Sequence, residues 1–380
     1  MTQGKGRCRI LYVIDDMGVG GAQKQVAETV NRLNGGEFSC DIACVTRGGA
    51  TLEKVRGAGE VYVLGADRIY DNVGAAAALR LGGIIRSGRY AIVEAYLPMA
   101  HLFGAMAVVG LRRTALVAAR RQSAWLDPGW MKAAGGFLDR VTRLSIANSR
   151  AVKRSLVERY GLSPERIAVI PNIIETGRPQ VSRAEARERL AVSPGAFACA
   201  AAGSFVRVKD YPTIIRAFAE FSRRGGKGVL LLAGEGGQRR GAAAFASRLG
   251  LDGEVRFLGS VPDIRMVLAA ADVFVHASHS EGMSNAILEA MAAGQPVVAS
   301  DIPANREAMG DGCGVFFAPG DWEGCLRGIE HFADDTAAAA RAGRAAQERI
   351  RLLYNCDAII GQRERIYGRL AGATNGKGRE

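Results

Sequence analysis

Three patterns that would assign the chain to a broad class of protein are missing from its 380 residues. The seven cysteines form no Cys-x-x-Cys pair and are odd in number, which favours reduced cysteines over a zinc or disulfide framework. No apolar signal core precedes the first apolar run, and the longest such run, residues 102–111, is about half the ~20 residues that span a bilayer. We therefore expect a cytoplasmic protein without a membrane-spanning segment.

Aromatic residues are also scarce, at 7%. Apolar residues nevertheless make up 48% and charged residues 23%, which is typical of a soluble globular protein and excludes a disordered or fibrous chain. Single hydrophobic cores stop growing at ~250–300 residues, so a chain of 380 residues is expected to form two domains.

Acidic residues are too few to balance the basic ones, and the formal net charge is +12. Most of this excess lies in residues 80–154, which carry 13 basic and 3 acidic side chains. A local excess indicates a surface for an anionic partner. Our hypothesis is an anionic membrane surface, at the inner face of the cytoplasmic membrane. A nucleic-acid-binding protein is the alternative, but no recognised binding module accompanies the basic residues.

Short β-rich apolar runs alternate with longer amphipathic segments from end to end, which predicts βα units on parallel sheets. The alternation stops at residues 171–193 and restarts at Phe197. We therefore predict an α/β protein with two doubly wound sheets, one in residues 1–172 and one in residues 173–354. Such sheets bind ligands beyond the carboxyl ends of their strands, so the residues that follow each strand are the candidate site residues.

Glycine loops follow the first strand of each half. Gly20 and Gly21 open a helix whose N-terminal amides suit a phosphate or sugar, although a tight turn or a nicotinamide-binding loop remains an alternative. Gly203 opens a loop that contains Arg207 and Lys209. Two cations at that position suit a diphosphate whose charge grows as a bond to it breaks, and a solvated surface pair is the alternative.

A third pattern follows the apolar run 273–277. Glu281 lies in a loop, and Glu289 lies eight residues later in a predicted helix that begins near Ser284. The backbone amides of Met283, Ser284 and Asn285 then point at a phosphate, and the two carboxylates reach hydroxyl groups on either side of it. The alternative is that Glu281 caps the helix and Glu289 lies on its surface.

Together these motifs resemble glycosyltransferase family 4, whose members are retaining enzymes of the GT-B architecture, with two Rossmann-like domains that face a central cleft. The matching segments are GGAQ at 20–23, Gly203 to Lys209, AGEG at 233–236, ADVFVHAS at 271–278 and EGMSNAILEAMAAGQPVVASDI at 281–302. The last contains the family's Glu-x7-Glu signature. The resemblance implies that a final helix, 355–370, packs back on the first domain.

The resemblance also implies roles for these residues. Glu289 holds the ribose of a UDP- or GDP-linked sugar, and Glu281 contacts the transferred sugar. The diphosphate is held by Lys209, Arg207, Gly203, the amides of Met283, Ser284 and Asn285, and by Gly20 and Gly21. The implied reaction transfers the sugar to a hydroxyl of a glycan or a polyprenyl-diphosphate-linked acceptor, in the synthesis of cell-envelope polysaccharide or glycolipid. No metal or cofactor is implied. A nucleotide-sugar epimerase is the alternative enzyme.

The chain departs from the family pattern at three places. Gln23 replaces the glutamate of GGAE, and Ser204 replaces an arginine after the phosphate-loop glycine. Arg120 and Arg121 stand where many members carry a histidine, so we take them as candidates for acceptor contacts.

Overall fold

The computed structural model describes residues 7–68, 71–121, 129–175 and 181–376, and for 129–133 and 374–376 it describes the backbone only. The chain divides into two compact units, Met1–Ile173 with Cys356–Glu380 and Ile174–Asn355. The division falls one residue from the boundary expected at 172/173. Within the described ranges, no helix combines the length and apolar character needed to cross a membrane.

The first unit contains a parallel sheet of seven strands in the order β3-β2-β1-β4-β5-β6-β7. The strands are β1 (Cys8–Asp16), β2 (Phe38–Arg47), β3 (Val61–Val63), β4 (Ile92–Tyr96), β5 (Ala115–Arg120), β6 (Thr142–Ala147) and β7 (Ile167–Val169). The helices are α1 (Gly21–Leu33), α2 (Asn72–Ser87), α3 (Pro98–Val108), α4 (Gly129–Val141), α5 (Arg150–Tyr160) and, from the end of the chain, α14 (Cys356–Gly376).

The second unit contains a parallel sheet of six strands in the order β10-β9-β8-β11-β12-β13. The strands are β8 (Phe197–Ala202), β9 (Gly228–Ala233), β10 (Val255–Gly259), β11 (Val273–His276), β12 (Val297–Ser300) and β13 (Gly314–Phe317). The helices are α6 (Arg183–Arg189), α7 (Tyr211–Arg223), α8 (Arg239–Arg248), α9 (Ile264–Ala270), α10 (Asn285–Ala292), α11 (Pro303–Met309), α12 (Trp322–Asp334) and α13 (Thr336–Leu353).

The apolar residues of the strands and the capping residues of the helices explain why both sheets form. The central run Ile10–Ile14 is fully buried on both faces, as expected of a strand covered by helices on either side. Helix ends carry suitable residues: Ser149 caps α5 by accepting from the Val152 amide, and Gly161 ends it in the left-handed conformation. The prediction of two doubly wound parallel sheets is confirmed.

The strand order of each sheet reverses at its first strand, and this reversal positions the ligand crevice of a doubly wound sheet. In the first unit the reversal lies between β1 and β4, and in the second unit it lies between β8 and β11. The loops that leave the carboxyl ends of these four strands therefore belong to the two candidate sites.

The last helix, α14, belongs to the first unit. Its apolar residues Ile359, Ile360 and Ile366 share one buried core with strands β1 and β2. The helix also carries Arg363, which is almost fully buried beside Glu94 of β4. The chain therefore leaves the first unit after β7 and returns to it through α14.

Candidate functional site

Two loops meet at the strand reversal of the second unit. The loop 203–210 leaves β8, and the loop 277–284 leaves the neighbouring β11. The His279 amide donates to the Val208 carbonyl oxygen at 2.8 Å, and the His279 ring lies 3.1 Å from the Asp210 carboxylate. These contacts hold the two loops side by side.

Lys209 and Glu281 form an ion pair across these loops, so the structure brings together two of the predicted site residues. Glu281 Oε1 also accepts from Ser278 Oγ at 2.7 Å and contacts His276 Nε2 at 3.1 Å. The Lys209 and Glu281 side chains are only 20% and 13% exposed. The carboxylate is thus fixed by three neighbours before any ligand binds.

The electrostatics keep Glu281 ionised. Burial raises the pKa of Glu281, but the Lys209 ammonium and the hydrogen bond from His276 outweigh it and hold the pKa well below its usual range. Burial lowers the pKa of His276, so the ring is neutral at neutral pH and donates its Nε2–H to Glu281. The sequence alone does not reveal this contact.

The helix that follows, α10, begins where the sequence predicted. Ser284 is its N-cap and accepts from the Ile287 amide at 3.3 Å, and Met283 and Ser284 are buried. Glu289 is the fifth residue of α10 and is half-buried. Arg265 was missed by the sequence analysis: its pKa is raised mainly by the hydrogen bond that it donates to Asp263, and also by the charges of Asp263, Glu175 and Glu289. Glu289 therefore lies within the electrostatic field of an arginine.

Arg207 is not brought to the ion pair. Its side chain is exposed and makes no hydrogen bond or ion pair with any residue that the structure describes. Gly203 has a φ of +148°, and a Cβ on Gly234 would lie 2.0 Å from the Gly203 carbonyl oxygen. The AGEG turn after β9 therefore packs backbone against backbone on the phosphate loop, which explains its glycines.

In the first unit, Gly20 and Gly21 stand at the start of α1, after β1. A Cβ on Gly20 would lie 2.3 Å from Gln23 Oε1, because the Gln23 side chain lies against the loop. A side chain at position 20 would therefore require the Gln23 side chain to move.

Asp15, at the end of β1, is a further functional candidate that the sequence analysis did not identify. Its Oδ1 accepts from the Ala100 amide at 2.6 Å at the start of α3. Burial raises its pKa to about 6, and the neighbouring Asp16 adds to the rise. A carboxyl group that titrates near neutrality at a strand reversal is typical of a functional site.

Arg120 and Arg121 follow β5 at the same edge of the first sheet. Arg121 donates to Asn172 Oδ1, and its guanidinium lies 5.6 Å from the centre of the Tyr96 ring. The residue that follows them, Gln122, lies outside the described residues.

Two family models match the chain in succession and account for most of its length. Glycosyltransferase Family 4 matches residues 19–178, and Glycosyl transferases group 1 matches residues 182–349. The chain belongs to glycosyltransferase family 4. The Glu-x7-Glu signature and the phosphate loop fall in the second match, and Gly20 and Arg121 fall in the first.

Curated relatives of this family 4 member include glycosyltransferases of two kinds. The lipopolysaccharide core biosynthesis glycosyltransferase LpsE of Rhizobium meliloti is 36% identical over 195 residues, which are 51% of this chain and 55% of LpsE. The D-inositol 3-phosphate glycosyltransferase of Nocardia farcinica is 34% identical over 48% of this chain and 43% of its own length. The chain thus matches about half the length of these relatives.

Solved structures show the fold of this family 4 member. Anabaena Alr3699/HepE, crystallised with UDP and glucose, superposes with a TM-score of 0.82 at 24% identity, over 94% of this chain and 99% of the other. WaaG, a glycosyltransferase involved in lipopolysaccharide biosynthesis, superposes with a TM-score of 0.75 at 16% identity, over 94% and 99% of the two chains. The fold is GT-B, as expected.

Proposed function

We propose that the protein transfers a sugar from a nucleoside-diphosphate sugar to a hydroxyl of a glycan or lipid-linked acceptor, with retention of anomeric configuration. The observation that carries this proposal is the Lys209–Glu281 pair at the strand reversal of the second unit. A cation and a fixed carboxylate on adjacent loops match the two halves of such a donor, which are a diphosphate and a polar sugar. The lipopolysaccharide relative supports a role in cell-envelope polysaccharide or glycolipid synthesis.

In the proposed reaction the bond between the sugar C1 and the diphosphate oxygen breaks while the acceptor oxygen bonds to C1 on the same face. The acceptor proton passes to a phosphate oxygen, so no protein nucleophile or cofactor takes part. Lys209 and the N-terminus of α10 stabilise the charge that grows on the diphosphate, in place of a metal ion. Glu281 contacts the sugar, and Glu289 holds the ribose.

UDP-sugars are the first donors to test, since HepE was crystallised with UDP, and GDP-sugars are the second. The experiment measures free UDP released from UDP-sugars by the wild type and by Glu289→Ala and Lys209→Ala. We expect release that survives EDTA and is lost in both variants, and NMR of the product should show the donor's anomeric configuration. Conversion of the sugar to its epimer without UDP release would instead establish the epimerase alternative.

We also propose that the basic stretch 80–154 binds an anionic membrane surface. Helices α2, α3 and α4 are neighbours in the first unit, and they or their ends expose the apolar side chains Leu79, Val109 and Phe137 among the arginines. Each basic residue near an anionic surface contributes ~1 kcal/mol. Co-sedimentation with liposomes should rise with the fraction of anionic lipid, and indifference to that fraction would exclude this surface.

A further inference from the structure

A buried ion pair lies in the interior of the first unit. Arg363 Nη1 is 2.9 and 3.2 Å from the two carboxylate oxygens of Glu94, and both side chains are at most 1% exposed. The phenols around them carry no charge at neutral pH, because burial raises the pKa of Tyr96 to about 12 and raises that of Tyr12 and Tyr367 well above their usual value. Glu94 and Arg363 therefore neutralise each other.

Arg121 adds a second guanidinium, and the Glu94–Arg363 pair does not balance its positive charge. Its described contacts are both neutral, the Asn172 amide oxygen and the face of the Tyr96 ring. No carboxylate of the described residues forms an ion pair with it. Burial lowers its pKa to about 10, so the group is still charged at neutral pH. The cluster thus holds two cations and one anion, and a cation in such surroundings is stabilised by an anionic partner.

The position of Arg121 is that of a ligand-binding residue. It follows β5, at the carboxyl edge where doubly wound sheets bind ligands. Beside it, at the end of β6, Asn148 donates from Nδ2 to the Arg121 carbonyl oxygen at 3.2 Å. The Asn148 Oδ1 atom is buried and accepts from no group that the structure describes. Asn148 therefore contacts the Arg121 backbone, and its Oδ1 atom is a second buried polar group that lacks a partner among the described residues.

We propose that Arg121 binds an oxyanion carried by the acceptor, a phosphate ester or a carboxylate, and that Asn148 accepts from a hydroxyl beside it. The guanidinium fork matches the two oxygens of either group. This inference rests on the proposed function, since it assigns the acceptor to the first unit. It makes a negatively charged acceptor the preferred substrate class.

The test is calorimetric titration of the whole protein in the presence of saturating UDP, which occupies the phosphate site of the second unit. The probes are glucose 6-phosphate, glucuronate and neutral glucose. We expect one of the two anions to bind at least about tenfold more tightly than glucose, which also identifies the oxyanion. Arg121→Gln should abolish this preference, Arg121→Lys should retain part of it, and Arg56→Gln, an exposed arginine in the same unit, should leave it unchanged.

Equal affinity for glucose and both anions, or an anion preference that survives Arg121→Gln, would overturn the inference. Folding is checked by the thermal transition of each variant, and the lysine variant keeps the test informative if glutamine destabilises the unit. UDP binding and UDP release from the donor are measured on the same samples. If they persist while the anion preference is absent, this inference fails and the proposed function stands.

Discussion

Replacing Arg363 by methionine tests how the last helix is held to the first unit. The substitution leaves the Glu94 carboxylate fully buried, with Tyr367 as its remaining hydrogen-bond donor. Methionine fills most of the space of the arginine stem, so the main effect is the loss of the positive charge.

The expected cost follows from the burial of both partners. Removing one member of a buried pair leaves an uncompensated charge and typically destabilises a protein by about 3–5 kcal/mol. In a domain of this size, about 1 kcal/mol shifts the melting temperature by roughly 2–4 °C, so we expect the transition of the first unit to fall by roughly 6–20 °C. The double variant Arg363→Met with Glu94→Gln should be more stable than the single one, because it removes the stranded charge.

Differential scanning calorimetry measures the shift, and hydrogen exchange of β1 and β4 peptides shows that it belongs to the first unit. The matched control is Arg32→Met, which breaks a partly exposed i,i+4 pair with Glu28 in α1. That change should cost less than about 1 kcal/mol. The reasoning is refuted if Arg363→Met costs no more than the control, or if the double variant is less stable than the single one.

Three further changes test other parts of the structure. His276→Leu removes a donor to Glu281 and should lower kcat roughly 10- to 100-fold, whereas His276→Gln, which keeps an N–H donor, should recover part of the loss. Asp15→Asn should flatten the pH dependence of thermal stability between about pH 4 and 6. Because the pKa of Asp15 is raised in the folded state, the wild type loses stability as the pH rises through this window. Gly234→Ala places a Cβ 2.0 Å from the Gly203 carbonyl oxygen of the adjoining loop, so it should lower the free energy of unfolding by ~1–3 kcal/mol and weaken UDP binding. The control is Gly237→Ala, which has open space around it and should change neither quantity.

Each of these has an outcome that counts against it. Unchanged kcat in His276→Leu would mean that the other two donors suffice to orient Glu281. A pH dependence that survives Asp15→Asn would assign it to another group. Wild-type UDP affinity in Gly234→Ala would mean that the loop after β8 does not hold the diphosphate.

The strand-end residues of the second unit were predictable because a doubly wound parallel sheet binds its ligand beyond the carboxyl ends of its strands. Apolar runs mark the strands, so Lys209 and Glu281 were identified as residues of loops that follow strands, without any knowledge of their contacts; that the two loops are neighbours was shown by the structure. The glycines at 234 and 236 were visible in the sequence but not explained by it. Their reason is the backbone of the loop after β8, which they approach too closely for any side chain.

The sequence by itself determined the two doubly wound sheets, the family, and which loops carry the candidate site, because periodicity and strand-end motifs are local properties of the chain. Only the tertiary structure decided the partners of individual charges. Glu94 and Arg363 are 269 residues apart, and no local pattern pairs them. The same pairing leaves Arg121 without a carboxylate partner among the described residues, since Arg363 already neutralises Glu94. Charge balance in a buried cluster depends on which distant residues pack together, and packing is settled only when the chain has folded.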